Sequence, residues 1–123
     1  MTKQELQERT KAFALRVIKL VDSLPKKRSA DILGTQLLRS STSVAANYRA
    51  ACRARSQAEF IAKMGVVEEE SDESTGWIEL IADAGLISRS KVESLLQESN
   101  ELTAITVASI KTARQNSRGK QKP

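Results

Sequence analysis

Residues 60–81, FIAKMGVVEEESDESTGWIELI, place Phe60, Met64, Val67, Ser71, Ser74, Ile78 and Ile81 at alternating steps of four and three. That spacing returns to one side of an α-helix and does not fit the two-residue alternation of a strand. The side it draws carries only apolar or small residues, while most of the acidic run Glu68, Glu69, Glu70, Asp72 and Glu73 falls away from it. One stripe is therefore built for burial and the remainder for water.

The same rhythm occurs three more times. Leu6, Thr10, Phe13, Val17, Leu20 and Leu24 form one stripe, Leu33, Leu37, Ser41, Val44, Tyr48 and Ala51 a second, and Val92, Leu96, Ser99, Leu102, Thr106, Ile110 and Ala113 the last. Helix starts are marked by Ser or Thr three residues ahead of Glu, a pairing that satisfies free backbone N–H groups. These are Thr2 with Glu5, Ser56 with Glu59, and Ser90 with Glu93. The remaining start is predicted near Ser29, with Asp31 in its first turn, where the helix dipole favours negative charge. Leu24-Pro25 stops the first helix and Gly85 stands where a C-terminal cap would close the third. The predicted helices are 3–24, 30–54, 57–84 and 90–116. Short connections force neighbours to run antiparallel, so the fold class is all-α: one domain, 1–116, an up-down-up-down four-helix bundle. Ser41, Ser71, Ser74 and Ser99 predict a closely spaced central layer. Residues 117–123, SRGKQKP, hold nothing apolar to bury and are predicted to be a disordered basic tail.

Composition agrees with that architecture. The 123 residues are 40% hydrophobic and 28% charged, with two prolines and five glycines, which suits one helical domain with a continuous core. No stretch approaches the roughly 18 apolar residues of a membrane span, and the polar start MTKQELQERTK is unlike a signal peptide, so a cytoplasmic location and no membrane partner are expected. Cys52, the single cysteine, is expected to be an inert buried thiol. Histidine is absent, which removes the commonest general base and the commonest transition-metal ligand. The acidic run of the third helix lacks a Glu-x-x-His motif, and Gly34, Gly65, Gly76 and Gly85 stand alone rather than in a phosphate-binding loop. No enzyme, cofactor, metal or small-molecule substrate is expected. Gly65 and Gly76, costly inside a helix, are read as points of close helix approach.

Charge is segregated along the chain. Residues 1–55 hold 12 Lys/Arg against 4 Asp/Glu, residues 56–103 hold 3 against 11, and residues 104–123 add 5 basic groups and no acidic one. If helices two and three form a hairpin turning near Ser56, residues whose numbers total about 112 lie level with each other. Arg39 then faces Glu73, Ser43 lies near Glu70, Asn47 near Val66, and Gln36 near Trp77. A partly buried polar network of Gln36, Arg39, Ser43, Asn47, Glu70, Glu73 and Trp77 is predicted there.

The segments QLLRSSTSVAANYRAA (Gln36 to Ala51) and FIAKMGVVEEESDESTGWIEL (Phe60 to Leu80) resemble the four-helix-bundle proteins encoded within intervening sequences of bacterial large-subunit ribosomal RNA genes. Gln36-Leu37, Arg39-Ser40, Ser43-Val44, Asn47, Ser56, Phe60, Lys63, Glu70, Glu73 and Trp77 carry the likeness, with Leu20-Val21 and Leu24-Pro25 ahead of them; it covers roughly residues 13–85. One departure is Ala50, where the family usually has Glu. The resemblance implies association into a ring, typically a homopentamer, and a connection to nucleic acid. The accessory variability proteins of diversity-generating retroelements are similar in architecture and act as basic partners of a reverse transcriptase and its RNA.

Three basic groups are candidate nucleic-acid contacts, because phosphate binding needs several cations on one face. They are Lys26, Lys27 and Arg28 in the first loop; Arg49, Arg53 and Arg55 at the end of helix two; and Lys111, Arg114 and Arg118, with Lys120 and Lys122, at the end of helix four. The first two groups belong to opposite ends of a hairpin. Only four aromatics exist, Phe13, Tyr48, Phe60 and Trp77, and they fall on or beside the apolar stripes, so no base-stacking platform is expected. Tyr48 and Trp77, at the stripe margins, are expected near a subunit contact. The resulting expectation is a non-enzymatic homo-oligomeric bundle that binds RNA or DNA, structured RNA first, as an accessory or scaffold. The alternative is a protein-binding module without a nucleic-acid role.

Overall fold

Thr2 holds an extended backbone and its side chain accepts from the Glu5 N–H at 3.1 Å, which opens α1 over Lys3–Asp22. α3, Gln57–Asp83, opens in the same way, with Ser56 Oγ accepting from the Glu59 N–H at 3.0 Å. The Glu59 carboxylate returns not to Ser56 but to the Arg55 N–H, at 3.3 Å. The computed structural model describes the backbone of residues 1–121 and the side chains of residues 1–117.

The other two starts differ from the sequence reading. α2, Arg28–Cys52, begins ahead of Ser29, with Lys27 as N-cap and no side-chain cap bond. Asp31 still falls in the first turn, and its N–H donates to the Lys27 carbonyl at 3.0 Å. α4, Arg89–Gln121, starts earlier than predicted because the Ser88 carbonyl already accepts from Lys91 at 3.1 Å. Ser90 therefore lies inside the first turn, 3.4 Å from the Ser88 hydroxyl, and caps nothing among the described residues.

Helix ends also shift. α1, α2 and α3 finish one or two residues before their predicted limits, while α4 continues past Asn116 to Gln121. The tail predicted from Ser117 thus begins within a helix, since no proline intervenes before Pro123 and Arg, Lys and Gln are good helix formers. The side chains of Arg118 and Lys120, and all of Lys122 and Pro123, lie outside the described residues.

α1 packs on α2, α2 on α3 and α3 on α4; α4 closes back on α1 through the least extensive of the four interfaces, and the backbones of neither diagonal pair come together among the described residues. That is an antiparallel up-down-up-down bundle. Phe13, Val17, Leu37, Val44, Met64, Ile78, Ile81, Val92 and Leu102 fill its core. Midway along it Ser71, Ser74 and Ser99 of the predicted layer meet Thr103, Ser40 and Thr75 from beside the stripes, while Ser41, also buried, bonds only the Leu38 carbonyl of its own helix. Ser40 and Ser74 lie 2.8 Å apart, Thr75 and Ser99 2.6 Å, and Ser71 and Thr103 2.8 Å, while Ser99 Oγ donates to the Ser71 carbonyl at 3.0 Å. Every buried side-chain N or O among the described residues has a partner, so this layer joins α2, α3 and α4 closely without an orphaned hydroxyl.

Close helix approach falls at a different glycine from the two predicted. A Cβ on Gly34 would meet Val21 Cγ1 at 2.9 Å, so α2 lies against α1 there, whereas Gly65 and Gly76 have nothing within 4 Å of that position. Their place on the stripe margins, not within the seam, is the reason. Gly85 has φ of 76°. Its N–H donates to the Ala82 carbonyl (3.0 Å) and that of Leu86 to Ile81 (3.2 Å), closing α3 with a Schellman motif while Leu86 packs on the core.

Candidate nucleic-acid interface

In an antiparallel bundle the start of α1, the end of α2, the start of α3 and the end of α4 share one end. Gln57 Nε2 donates to the Ala113 carbonyl at 2.9 Å, joining α3 to α4 there, and Lys3 Nζ to the Cys52 carbonyl at 3.5 Å, joining α1 to α2. Arg49, Arg53 and Arg55 therefore stand at the same end as Lys111 and Arg114, on different grooves. Lys26, Lys27 and Arg28, all exposed, lie at the far end of the bundle.

Arg49, Arg53 and Arg55 lie along two clefts that flank α2. A cleft of about 680 Å³ between α1 and α2 is lined by Gln4, Gln7, Lys11, Thr42, Arg49 and Arg53, among others. A second, of about 540 Å³ between α2 and α3, is lined by Ala50, Arg55, Glu59 and Lys63. Ala46, Arg49 and Arg53 line both, so the two clefts adjoin along the exposed outer face of α2 and make a two-lobed trough with that face between its lobes. Its α2 floor, Ala45, Ala46 and Ala50, is short-chained, which lets a ligand approach the helix. Among the described residues, none of Lys11, Arg49, Arg53, Arg55 or Lys63 is in an ion pair. Two acids, Glu8 and Glu59, also line the trough, and Glu59 is engaged by the Arg55 N–H.

Lys11 and Lys63 were not among the sequence candidates. The hairpin register that puts Arg39 opposite Glu73 also puts Lys63 level with Arg49, so its place was open to the same arithmetic. Lys11 depends on the register of α1 against α2, which Gly34 and Val21 set and which no charge pattern announces. Lys111 and Arg114 line a smaller cleft with Glu68, Val107 and Ile110 between α3 and α4.

Two arginines elsewhere in the bundle, Arg9 and Arg39, are paired across helix interfaces. Arg9 on α1 donates through Nε to Glu98 Oε2 (3.0 Å), through Nη2 to Glu98 Oε1, and to Glu101 at 3.4 Å, and these carboxylates raise its pKa. Arg39 donates to Gln36 Oε1 (3.3 Å), to Glu70 Oε2 (3.0 Å) and to Glu73. Glu73 also accepts from Trp77 Nε1 at 3.1 Å. The hydrogen bonds to Arg39, ahead of that to Trp77, hold the Glu73 carboxyl below the ordinary glutamate value. Ser43 and Asn47 stand apart from this group: Asn47 Nδ2 donates to the Ser43 carbonyl and hydroxyl, both at 2.9 Å, on α2 alone. Their short side chains bond within one turn instead of reaching α3.

Two further expectations change. Tyr48 is buried, with its hydroxyl 3.5 Å from the Lys3 carbonyl, so its surface is spent inside the fold and only half-buried Trp77 retains area for a partner. Cys52 is half-buried at the edge of the core, not fully enclosed. No group of three or more metal-ligating side chains occurs among the described residues, and no described helix is long and apolar enough to cross a membrane.

These features define a small antiparallel helical bundle with a basic end and an open trough across it. The chain belongs to the 23S rRNA-intervening sequence protein family, whose model matches residues 2–108. It is similar to a solved protein of unknown function from the S23 ribosomal protein family of Bacteroides thetaiotaomicron, with 32% identity and a TM-score of 0.83 over 90% of this chain and 99% of that one. No curated protein matches it.

Proposed function

We propose that this chain is a non-catalytic, homo-oligomeric scaffold that binds nucleic acid, structured RNA first, through the basic end of its bundle. The observation that carries the reading is the set of five cations, Lys11, Arg49, Arg53, Arg55 and Lys63, gathered around one trough without an ion pair among the described residues. Side chains left uncompensated at neighbouring positions repel one another and gain by neutralising phosphates, which releases condensed counterions. Contacts of this type position a nucleic acid without reading its bases. Self-association is supported by Leu15 and Ile18, 52% and 37% exposed one turn apart on the outer side of α1, and by the opposite charges of the first two helices and the third. The ring of the family is the arrangement proposed, a homopentamer.

Light-scattering mass with and without a folded RNA, at low and high salt, tests both parts. The expected result is a ring-sized particle that takes up RNA at low salt and releases it steeply as salt rises. A particle indifferent to RNA that captures one protein regardless of salt would replace this reading with that of a protein-binding module.

A further inference from the structure

The trough carries cations, neutral donors and two acids but no aromatic side chain on which a base could stack. Of the four aromatics, Phe13 and Tyr48 are buried and Phe60 and Trp77 half-buried, and none lines either cleft of the trough. Proteins that hold single strands combine a basic groove with aromatic platforms, because each unpaired base exposes apolar faces that need covering. A base-paired segment has already stacked its bases internally. What it presents outward is a ridge of phosphates and sugars, and such a ridge needs spaced cations, hydrogen-bond donors and a floor low enough to approach.

The residues of the trough match that requirement one by one. Arg49, in the last turn of α2, and Arg53, its C-cap, are both exposed and about 6 Å apart along the helix axis. Lys11 flanks them from α1, and Lys63 with Arg55 from the α3 side. Gln4, Gln7 and Thr42 supply amide and hydroxyl groups able to bond phosphate or sugar oxygens. Ala45, Ala46 and Ala50 keep the floor free of long side chains and of charge. Neither acid cancels the field, since five cations face two carboxylates.

We infer that this trough is a docking groove for the sugar-phosphate backbone of a double-helical segment, laid across α1, α2 and the start of α3 and held without base readout. This rests on the nucleic-acid reading above and narrows it to one site and one ligand class. The Lys111–Arg114 cleft and the Lys26–Arg28 loop lie outside the groove.

Fluorescence anisotropy with the full chain tests it, using an RNA hairpin stem, a DNA duplex of matching sequence, and an unpaired strand of the same composition. Both paired probes are expected to bind at least about tenfold tighter than the unpaired strand, which finds no aromatic platform of the kind worth roughly 1–3 kcal/mol per base. The RNA and DNA arms show which duplex is preferred. In the Arg49→Ala/Arg53→Ala variant the slope of log affinity against log salt should fall by about 1.8, or 0.9 for each phosphate no longer neutralised. Ala50→Glu, which puts a carboxylate on the floor while remaining a good helix former, should weaken duplex binding. Lys26→Ala/Lys27→Ala and Lys111→Ala/Arg114→Ala should leave the slope unchanged. Circular dichroism of each variant establishes that the bundle is intact. Equal binding of paired and unpaired probes would overturn this inference and leave the nucleic-acid role standing. An unaltered slope in the double-arginine variant would remove the trough as the site, and no binding of any probe would overturn both readings.

Discussion

Arg39 on α2 and Glu73 on α3, 34 positions apart, are joined across the helix interface by a charged hydrogen bond, and Glu70 receives the second arm of the same guanidinium at 3.0 Å. The Arg39 side chain is 48% exposed, so water competes for both charges and the pair fixes register more than it adds stability. Arg39→Ala and Glu73→Ala should each destabilise less than a core substitution, and the double variant should lose less than the two single losses together. Thermal melts of the three variants check this; strictly additive effects would mean that the two side chains are not energetically coupled in solution.

Acid titration should reveal the same cluster. The Arg39 hydrogen bond, then that of Trp77, lowers the Glu73 pKa in the folded state. Its contribution is therefore complete above the unfolded glutamate value and disappears as pH falls through the lower folded value. Trp77 is the only tryptophan, and its Nε1 donates to the titrating carboxylate at 3.1 Å. Its emission should change at a pH below that of an ordinary glutamate, and in Arg39→Met the midpoint should rise. A midpoint that Arg39→Met does not move would assign the signal to another group.

Tyr48 gives the alkaline counterpart. Burial, followed by the neighbouring Cys52 thiol, raises the phenol pKa well above its ordinary value. A raised value means that the folded state keeps its proton, so this stabilisation is whole below about pH 10 and is lost as pH climbs toward the folded value. Because Tyr48 is the only tyrosine, phenolate absorbance reports it alone. Absorbance should stay flat through the ordinary tyrosine range and rise only at more alkaline pH or on unfolding; a normal titration in the folded chain would place the phenol in water.

The fold was open to sequence reading because periodicity encodes burial directly: Met64, Val67, Ser71, Ser74, Ile78 and Ile81 all fall inside, and so do Val92, Leu96, Ser99, Leu102, Thr106, Ile110 and Ala113. Caps were readable where a side chain does the capping, at Thr2 and Ser56. They were not readable at Lys27, where the backbone starts α2 without side-chain help, nor at Ser88, where two nearby serines compete for one role. For the candidate site, Arg49, Arg53 and Arg55 could be picked out as a run at the end of one helix. That Lys11 joins them is a fact of how α1 lies against α2, and packing of that kind leaves no local trace in either segment.

The glycines supply a test of packing with opposite signs. Alanine has a helix propensity about 1 kcal/mol better than glycine, and at Gly65 nothing lies within 4 Å of the added methyl, so Gly65→Ala should stabilise by up to that amount. At Gly34 the methyl meets Val21 Cγ1 at 2.9 Å, and the stiff, branched valine has little room to turn. Overpacking of about 1–3 kcal/mol outweighs the propensity gain, so Gly34→Ala should lower the melting temperature. Denaturation of the two variants side by side decides it, and stabilisation by both would show that α1 yields where the added methyl presses on it.

The hydroxyl layer admits a sharper distinction, between hydrogen bonding and spacing. Ser74 lies 2.8 Å from Ser40, yet its hydroxyl also donates to the Glu70 carbonyl at 2.8 Å, and Ser40 has the Leu37 carbonyl at 3.2 Å. Removing one hydroxyl therefore leaves its neighbour a partner on its own helix, and Ser74→Ala should cost only about 1 kcal/mol. Ser74→Leu instead adds volume in the fully buried layer between α2 and α3, where close packing leaves no room for it, at a cost of about 1–3 kcal/mol. Chemical denaturation of both variants separates the two roles. A larger loss from alanine than from leucine would make the hydrogen bond, and not the narrow gap between the helices, the reason that serine stands there.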